Sequence, residues 1–169
     1  MFSGSENENS YLGFGGIEFS VAMRVYLDMC CLKRPFDDQR QPRIREEAAA
    51  VAAIMALAET GEIELVRSPA HLVENDANPR EDRRLATALW IDGAAVDACL
   101  IPEVEVRAAA LVALGFAPLD ALHLALAEQA AAAWFLTCDD RLTSLAARHR
   151  DELGLEVALP QAVAWRSAR

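Results

Sequence analysis

Four acidic residues stand where the chain could do chemistry. Asp28 ends the β-prone run Val25-Tyr26-Leu27, and Asp139 lies just past the strand-like Trp134-Phe135-Leu136-Thr137. Asp120 falls in the first turn of a helix opened by Pro118, and Glu74 lies one to two turns into a helix opened by Ser68-Pro69. Like charges repel at close range, and burial raises the cost. A divalent cation removes that conflict. Mg²⁺ takes a few carboxylates, keeps several waters and binds phosphate oxygens. It can activate a water and steady the charge of an in-line displacement at phosphorus. Carboxylates without a histidine cluster suit Mg²⁺ or Mn²⁺ better than zinc. Taken singly, each acid has an ordinary reading. Asp120 could answer a helix dipole, Asp139 or Asp140 could cap a helix, and Glu74 could lie on a solvated face. Their joint placement favours function.

The elements that must position them alternate. Val25–Leu27 begins the first strand, and Lys33–Asp38 reads as a loop rich in turn residues. A long helix is expected from Pro42 to Thr60, stopped by Gly61. Ile63–Val66 is the second strand. Ser68 then caps, and Pro69 opens, the helix carrying Glu74. Asn78-Pro79 breaks it, and Glu81–Ile91 starts another helix. Asp97–Ile101 reads as a short strand and Val104–Leu114 as a helix stopped at Gly115. Beyond the fourth strand, Asp140–Arg150 reads as a helix, Glu156–Leu159 as a strand and Pro160–Trp165 as a short helix. This alternation predicts an α/β fold, a three-layer α/β/α sandwich around a parallel sheet of four to five strands. In such sheets, sites form at the carboxyl ends of the strands. Asp28, Asp139 and Asp120 all belong to that edge.

The 169 residues suit one domain, and 53% of them are apolar, much of that alanine. Residues 1–22 differ from the rest and read as a flexible N-terminal extension ahead of a domain over 23–169, with Met23 a candidate natural start. The extension carries Glu6, Glu8 and Glu18 with no Lys or Arg, leaving −7 of the net charge of −10 for the remainder. That balance argues against a broadly electrostatic nucleic-acid binder. It does not exclude a nuclease, because a carboxylate-held cation presents positive charge to phosphate. The nucleic-acid surface must then be local, or shared with a partner or a dimer groove. Cys30, Cys31, Cys99 and Cys138 lack the spacing of a zinc ribbon or disulfide framework, so reduced thiols in the cytoplasm are expected. The longest apolar run, Ala48–Ala58, is too short to span a membrane, and no signal peptide is evident.

These residues also carry a resemblance. The chain resembles the PIN-domain nucleases, most closely the VapC-like toxins of toxin–antitoxin pairs, over Arg24 to about Trp165. Val25-Tyr26-Leu27-Asp28 is similar to the family's opening strand and first acid. Leu119-Asp120-Ala121-Leu122-His123-Leu124-Ala125 is similar to its Asp-Ala-x-His-x-Ala helix. Phe135 to Leu142 is similar to its Thr-x-Asp segment. Ser68 to Glu74 matches its strand–Ser–helix–Glu arrangement, with Asp76 the rival for the second acid. The resemblance implies that Asp28, Glu74, Asp120 and Asp139 hold Mg²⁺ or Mn²⁺. It also implies endonucleolytic cleavage of RNA to a 3′-hydroxyl and a 5′-phosphate, within a type II toxin–antitoxin pair. An antitoxin partner and a homodimer go with that role. The segment Met29–Gln39 departs from minimal toxins by being longer.

Other residues have two readings each. Thr137 could orient a carboxylate or a bound water, or cap the next helix. His123 could ligate a softer metal, hydrogen-bond a carboxylate, or pack behind the site. Asp140 could cap the helix or support the metal site. Arg34, near the strand-end rim, is a candidate RNA contact, with Arg80, Arg83 and Arg84 weaker ones. Cys30, Cys31 and Cys138 flank two acids and could be buried small residues or confer sensitivity to oxidation or zinc. Two other enzyme readings exist, a non-toxin RNA-processing PIN nuclease and a haloacid-dehalogenase-type phosphatase. The phosphatase needs a second aspartate two residues after the first, where this chain has Cys30. A catalytically silent PIN-fold binding module would be expected to lose acids from the cluster.

Overall fold

A computed structural model describes residues 22–162 of the chain, so the extension, apart from Ala22, lies outside the described residues. Five strands form one parallel sheet: β1 (Met23–Leu27), β2 (Ile63–Arg67), β3 (Val96–Asp97), β4 (Trp134–Leu136) and β5 (Glu156–Ala158), in the order β3-β2-β1-β4-β5. The helices are α1 (Met29–Lys33), α2 (Pro42–Glu59), α3 (Pro69–Asp76), α4 (Glu81–Asp92), α5 (Pro102–Ala113), α6 (Pro118–Gln129) and α7 (Asp140–Arg148). The result is the expected three-layer α/β/α sandwich.

Side chains alternate across a strand, so β1 feeds both cores. Tyr26, with Val66 and Phe135, packs against Leu111 of α5, Leu124 of α6 and Leu142 of α7. Val25 and Leu27, with Leu65 and Leu136, pack against Met29 of α1, Val51 and Ile54 of α2 and Ile91 of α4. The inner stretches of the central strands, residues 25–27, 65–66 and 135–136, are therefore buried and apolar in the main, as a strand covered on both faces must be. Strand order reverses around β1, since β2 follows it on one side and β4 returns on the other. A crevice opens at the carboxyl ends flanking such a switch point.

Several boundaries differ from the sequence reading. Lys33–Phe36 is not open loop: Lys33 closes α1, and Arg34–Phe36 makes a turn of 3₁₀ helix with Pro35 inside it. The strand expected at Asp97–Ile101 is only Val96–Asp97, because Pro102 opens α5 and draws the preceding residues away from the sheet. The helix after β4 stops at Arg148, and Arg150–Glu152 tightens into a 3₁₀ turn. Of the short helix expected from Pro160, the described part, Pro160–Ala162, is 3₁₀, and the rest lies outside the described residues. Gly115, at φ +103°, takes the turn between α5 and α6 that brings Asp120 back to the sheet edge.

Candidate acidic site at the sheet edge

Asp28 is fixed by the sheet itself. Its backbone N–H donates to Leu136 O at 2.8 Å, extending the β1–β4 ladder by one residue. Its Oδ2 accepts from the Thr137 hydroxyl at 2.6 Å and from the Cys30 thiol at 3.1 Å. It has no ion-pair partner among the described residues. Burial pushes the Asp28 carboxyl well above the usual carboxylate range, and Cys30 adds to the rise, while Thr137 and His123 act the other way. Thr137 also accepts from the Asp139 N–H at 3.1 Å, so one hydroxyl ties two of the acids together.

Glu74 is held from behind by a polar chain. Ser68 caps α3, accepting from the His71 N–H, and the Ser68 N–H donates back to His71 Nδ1 at 3.1 Å. His71 Nε2 must then carry the ring proton, which goes to Leu27 O at 2.8 Å. Burial keeps His71 neutral, with its pKa lowered to about 4. Tyr26 OH lies 2.6 Å from both Ser68 Oγ and His123 Nδ1, and His123 Nε2 lies 3.2 Å from Glu74 Oε2. One assignment satisfies every partner: Ser68 donates to Tyr26, Tyr26 to His123 Nδ1, and His123 Nε2–H to Glu74. Lys33 Nζ meets the other oxygen of Glu74 at 2.8 Å. Burial works to raise the Glu74 pKa, but His123 and Lys33 outweigh it and hold the carboxyl at about 2.

Asp120 is half-buried at the start of α6, and its carboxylate accepts no hydrogen bond among the described residues. Burial raises its pKa, and the charges of Asp139 and Glu74 add to the rise. Asp139 is the N-cap of α7, with Oδ1 accepting from the Arg141 and Leu142 N–H groups at 2.7 and 3.3 Å. Its Oδ2 makes no hydrogen bond among the described residues. Asp140 is turned away to Arg43, which grips both its oxygens at 2.6 and 2.8 Å. Arg43 also reaches Cys138 O at 3.3 Å and the buried Glu47, so it braces the β4–α7 corner.

Asp28, Glu74 and His123 each offer a ligand atom, and these lie within 4.8 Å of one another. Asp120 and Asp139 are outside that tight group but line one cleft of about 850 Å³ together with Arg141 and Arg148. Neither arginine enters an ion pair among the described residues. The arginines singled out from sequence are committed elsewhere. Arg34 pairs with Glu47 and Asp37, Arg80 with Asp82, and Arg83 with Asp37, while Arg84 donates to Asn78 O. Sequence reasoning missed Lys33, Tyr26, His71, Arg141 and Arg148. Only Arg141, two residues after Asp139, carried a positional signal.

The site suits a hard divalent cation. Its donors are mainly carboxylate oxygens, and among the described residues Asp28 has no ion-pair partner and the Asp120 carboxylate accepts no hydrogen bond. Both His123 nitrogens are already engaged, so the histidine is better placed to steady Glu74 than to ligate.

An α/β/α sandwich with carboxylates gathered at its switch point defines a class of acid-centred domains. Residues 25–148 match the family model described as PIN domain, and the chain belongs to that family, whose members are typically metal-dependent nucleases. A solved structure titled "Crystal Structure of FitAcB from Neisseria gonorrhoeae" is similar in fold, with a TM-score of 0.50 at 14% identity, covering 82% of this chain and 99% of that one. Comparison with curated proteins found no sequence match.

Proposed function

We propose that the chain is a Mg²⁺- or Mn²⁺-dependent endoribonuclease whose cation is held by Asp28, Glu74, Asp120 and Asp139. The observation that carries this reading is Asp28: a carboxyl whose side-chain partners among the described residues are a hydroxyl and a thiol, set within 4.8 Å of ligand atoms of Glu74 and His123. Such a group is costly without a cation. When bound, the cation supplies a water of lowered pKa and neutralises charge at the phosphate. The chain does the rest. Thr137 orients Asp28 and Asp139 together. His123 and Lys33 keep Glu74 ionised across the working pH range. The α7 cap fixes Asp139 while leaving one of its oxygens for the site. Arg141 and Arg148 take phosphates of the RNA backbone along the cleft, a local basic strip on an acidic protein.

The role of toxin in a type II toxin–antitoxin pair, with an antitoxin partner, a homodimer and a cytoplasmic setting, rests on the VapC-like resemblance around Asp120 and His123. No helix among the described residues is long and apolar enough to cross a membrane. Incubating the purified chain with mixed RNA tests the chemistry. Cleavage with Mn²⁺ or Mg²⁺ that stops in EDTA and leaves 5′-phosphates supports it. Persistent cleavage in EDTA, cyclic-phosphate ends, or intact RNA under all conditions contradicts it.

A further inference from the structure

We propose that Cys30, Cys31 and Cys138 form a second cation site, a three-sulfur site for a soft d¹⁰ ion such as Zn²⁺ or Cu⁺. The three sulfurs lie within 4.8 Å of one another, and Cys31 Sγ is 3.6 Å from Cys138 Sγ. Thiolates bound to one Zn²⁺ at about 2.3 Å stand roughly 3.8 Å apart in a tetrahedral arrangement. The sulfurs therefore need small side-chain rotations rather than backbone movement.

The site is built on fixed elements. Cys30 and Cys31 lie in the first turn of α1, just beyond β1, and Cys138 lies just past β4, which pairs with β1 at Leu27 and Leu136. One donor that favours a sulfur anion is in place: the Cys138 N–H donates to Cys30 Sγ at 3.1 Å. Arg34 and Arg43 converge on the buried Glu47 behind Cys138, and Arg43 also donates to Cys138 O at 3.3 Å, which fixes the β4 end of the site. Such outer groups orient ligands and tune affinity. Thiolates select Zn²⁺ or Cu⁺, whereas carboxylates select Mg²⁺ or Mn²⁺, so the two sites sort ions by chemistry although Cys30 Sγ lies 3.1 Å from Asp28 Oδ2. On binding, each ligating thiol releases its proton to solvent and no redox step is involved.

Cd²⁺ is a suitable probe, because its thiolate bonds absorb in the ultraviolet. The full chain carrying Cys99→Ser, which removes the exposed fourth thiol, is kept reduced and titrated with Cd²⁺ in excess Mg²⁺. The expected result is a charge-transfer band saturating at one Cd²⁺ per chain and bleached by Zn²⁺. Cys31→Ser and Cys138→Ser should each weaken binding at least about 100-fold, the upper end of what losing a supporting group costs. Cys30→Ser, at the partly exposed position, gives the same reading should either buried substitution unfold the chain. Asp28→Asn should leave the band in place. A missing band, or one lost with Asp28→Asn but kept in the cysteine variants, overturns the proposal.

Discussion

At Asp28, burial favours the neutral carboxyl, so the ionised form costs stability at neutral pH. A folded-state pKa above the unfolded one gives stability that is full below the unfolded pKa and is lost as pH rises through the folded one. Asp28→Asn should therefore raise the Tm of the metal-free protein at pH 7, by about 2–4 °C for each kcal/mol relieved in a chain of this size. The same substitution should remove most of the Tm gain that Mn²⁺ gives the wild type. Scanning calorimetry with and without Mn²⁺ checks both. Glu74 has the opposite sign. Its carboxyl is held at about 2 against an ordinary 4.5, so its contribution is present above the unfolded pKa and fades as pH falls from about 4.5 to about 2. Lys33→Met should move that acid limb upward, and Glu74→Gln should flatten it, in Tm measured between those pH values. The acids themselves were legible in the sequence because strand ends and helix starts share one edge. Lys33 was not, since a pairing across 41 residues leaves no local pattern.

Elements set how firmly the acids are aimed. Ser68 both caps α3 and contacts Tyr26, so Ser68→Ala should cost about 0.5–2 kcal/mol and loosen the helix that carries Glu74. Denaturant titration reads the first effect and the cleavage rate the second. Arg43 pins the β4–α7 corner through Asp140, Cys138 O and Glu47. Arg43→Ala should lower the cleavage rate by up to about 10²-fold, the scale expected when reacting groups shift by an ångström. Both Arg43→Ala and Arg34→Met strip a partner from the buried Glu47, but Arg34 is 19% exposed against 54% for Arg43, so Arg34→Met should cost the more, about 3–5 kcal/mol. Element identity was largely readable, because Pro42, Pro69 and Pro118 sit at helix starts and Gly61 and Gly115 at helix ends. Where reading fell short, at Arg34–Phe36 and at Val96–Asp97, a proline in or near the segment and the packing contacts around it together decided the outcome. Short segments have too little periodicity to report those contacts.

For the whole molecule, a net charge of −10 means that the proposed RNA substrate would be met locally rather than steered in. Arg141 and Arg148 line the cleft beside Asp120 and Asp139 and have no acidic partner among the described residues. Replacing each with Ala should weaken single-stranded RNA binding and lower the slope of log K against log salt by about 0.7 per lost phosphate contact. Arg80→Ala, at a residue paired with Asp82, should leave that slope unchanged. Fluorescence anisotropy across a salt series separates the two. Composition alone made RNA binding look unfavourable; the proposal that RNA is met at this cleft rests on Arg141 and Arg148, which form no ion pair among the described residues.

The central claim is that acids from separate segments act together through one cation. Cleavage of a defined single-stranded RNA by Asp120→Asn in Mn²⁺ tests it most directly, with circular dichroism confirming the fold. Among the described residues Asp120 neither caps a helix nor pairs with a base, so its loss should leave the structure intact while lowering the rate at least about 10²-fold. A folded Asp120→Asn protein that cuts RNA at the wild-type rate would contradict the assignment.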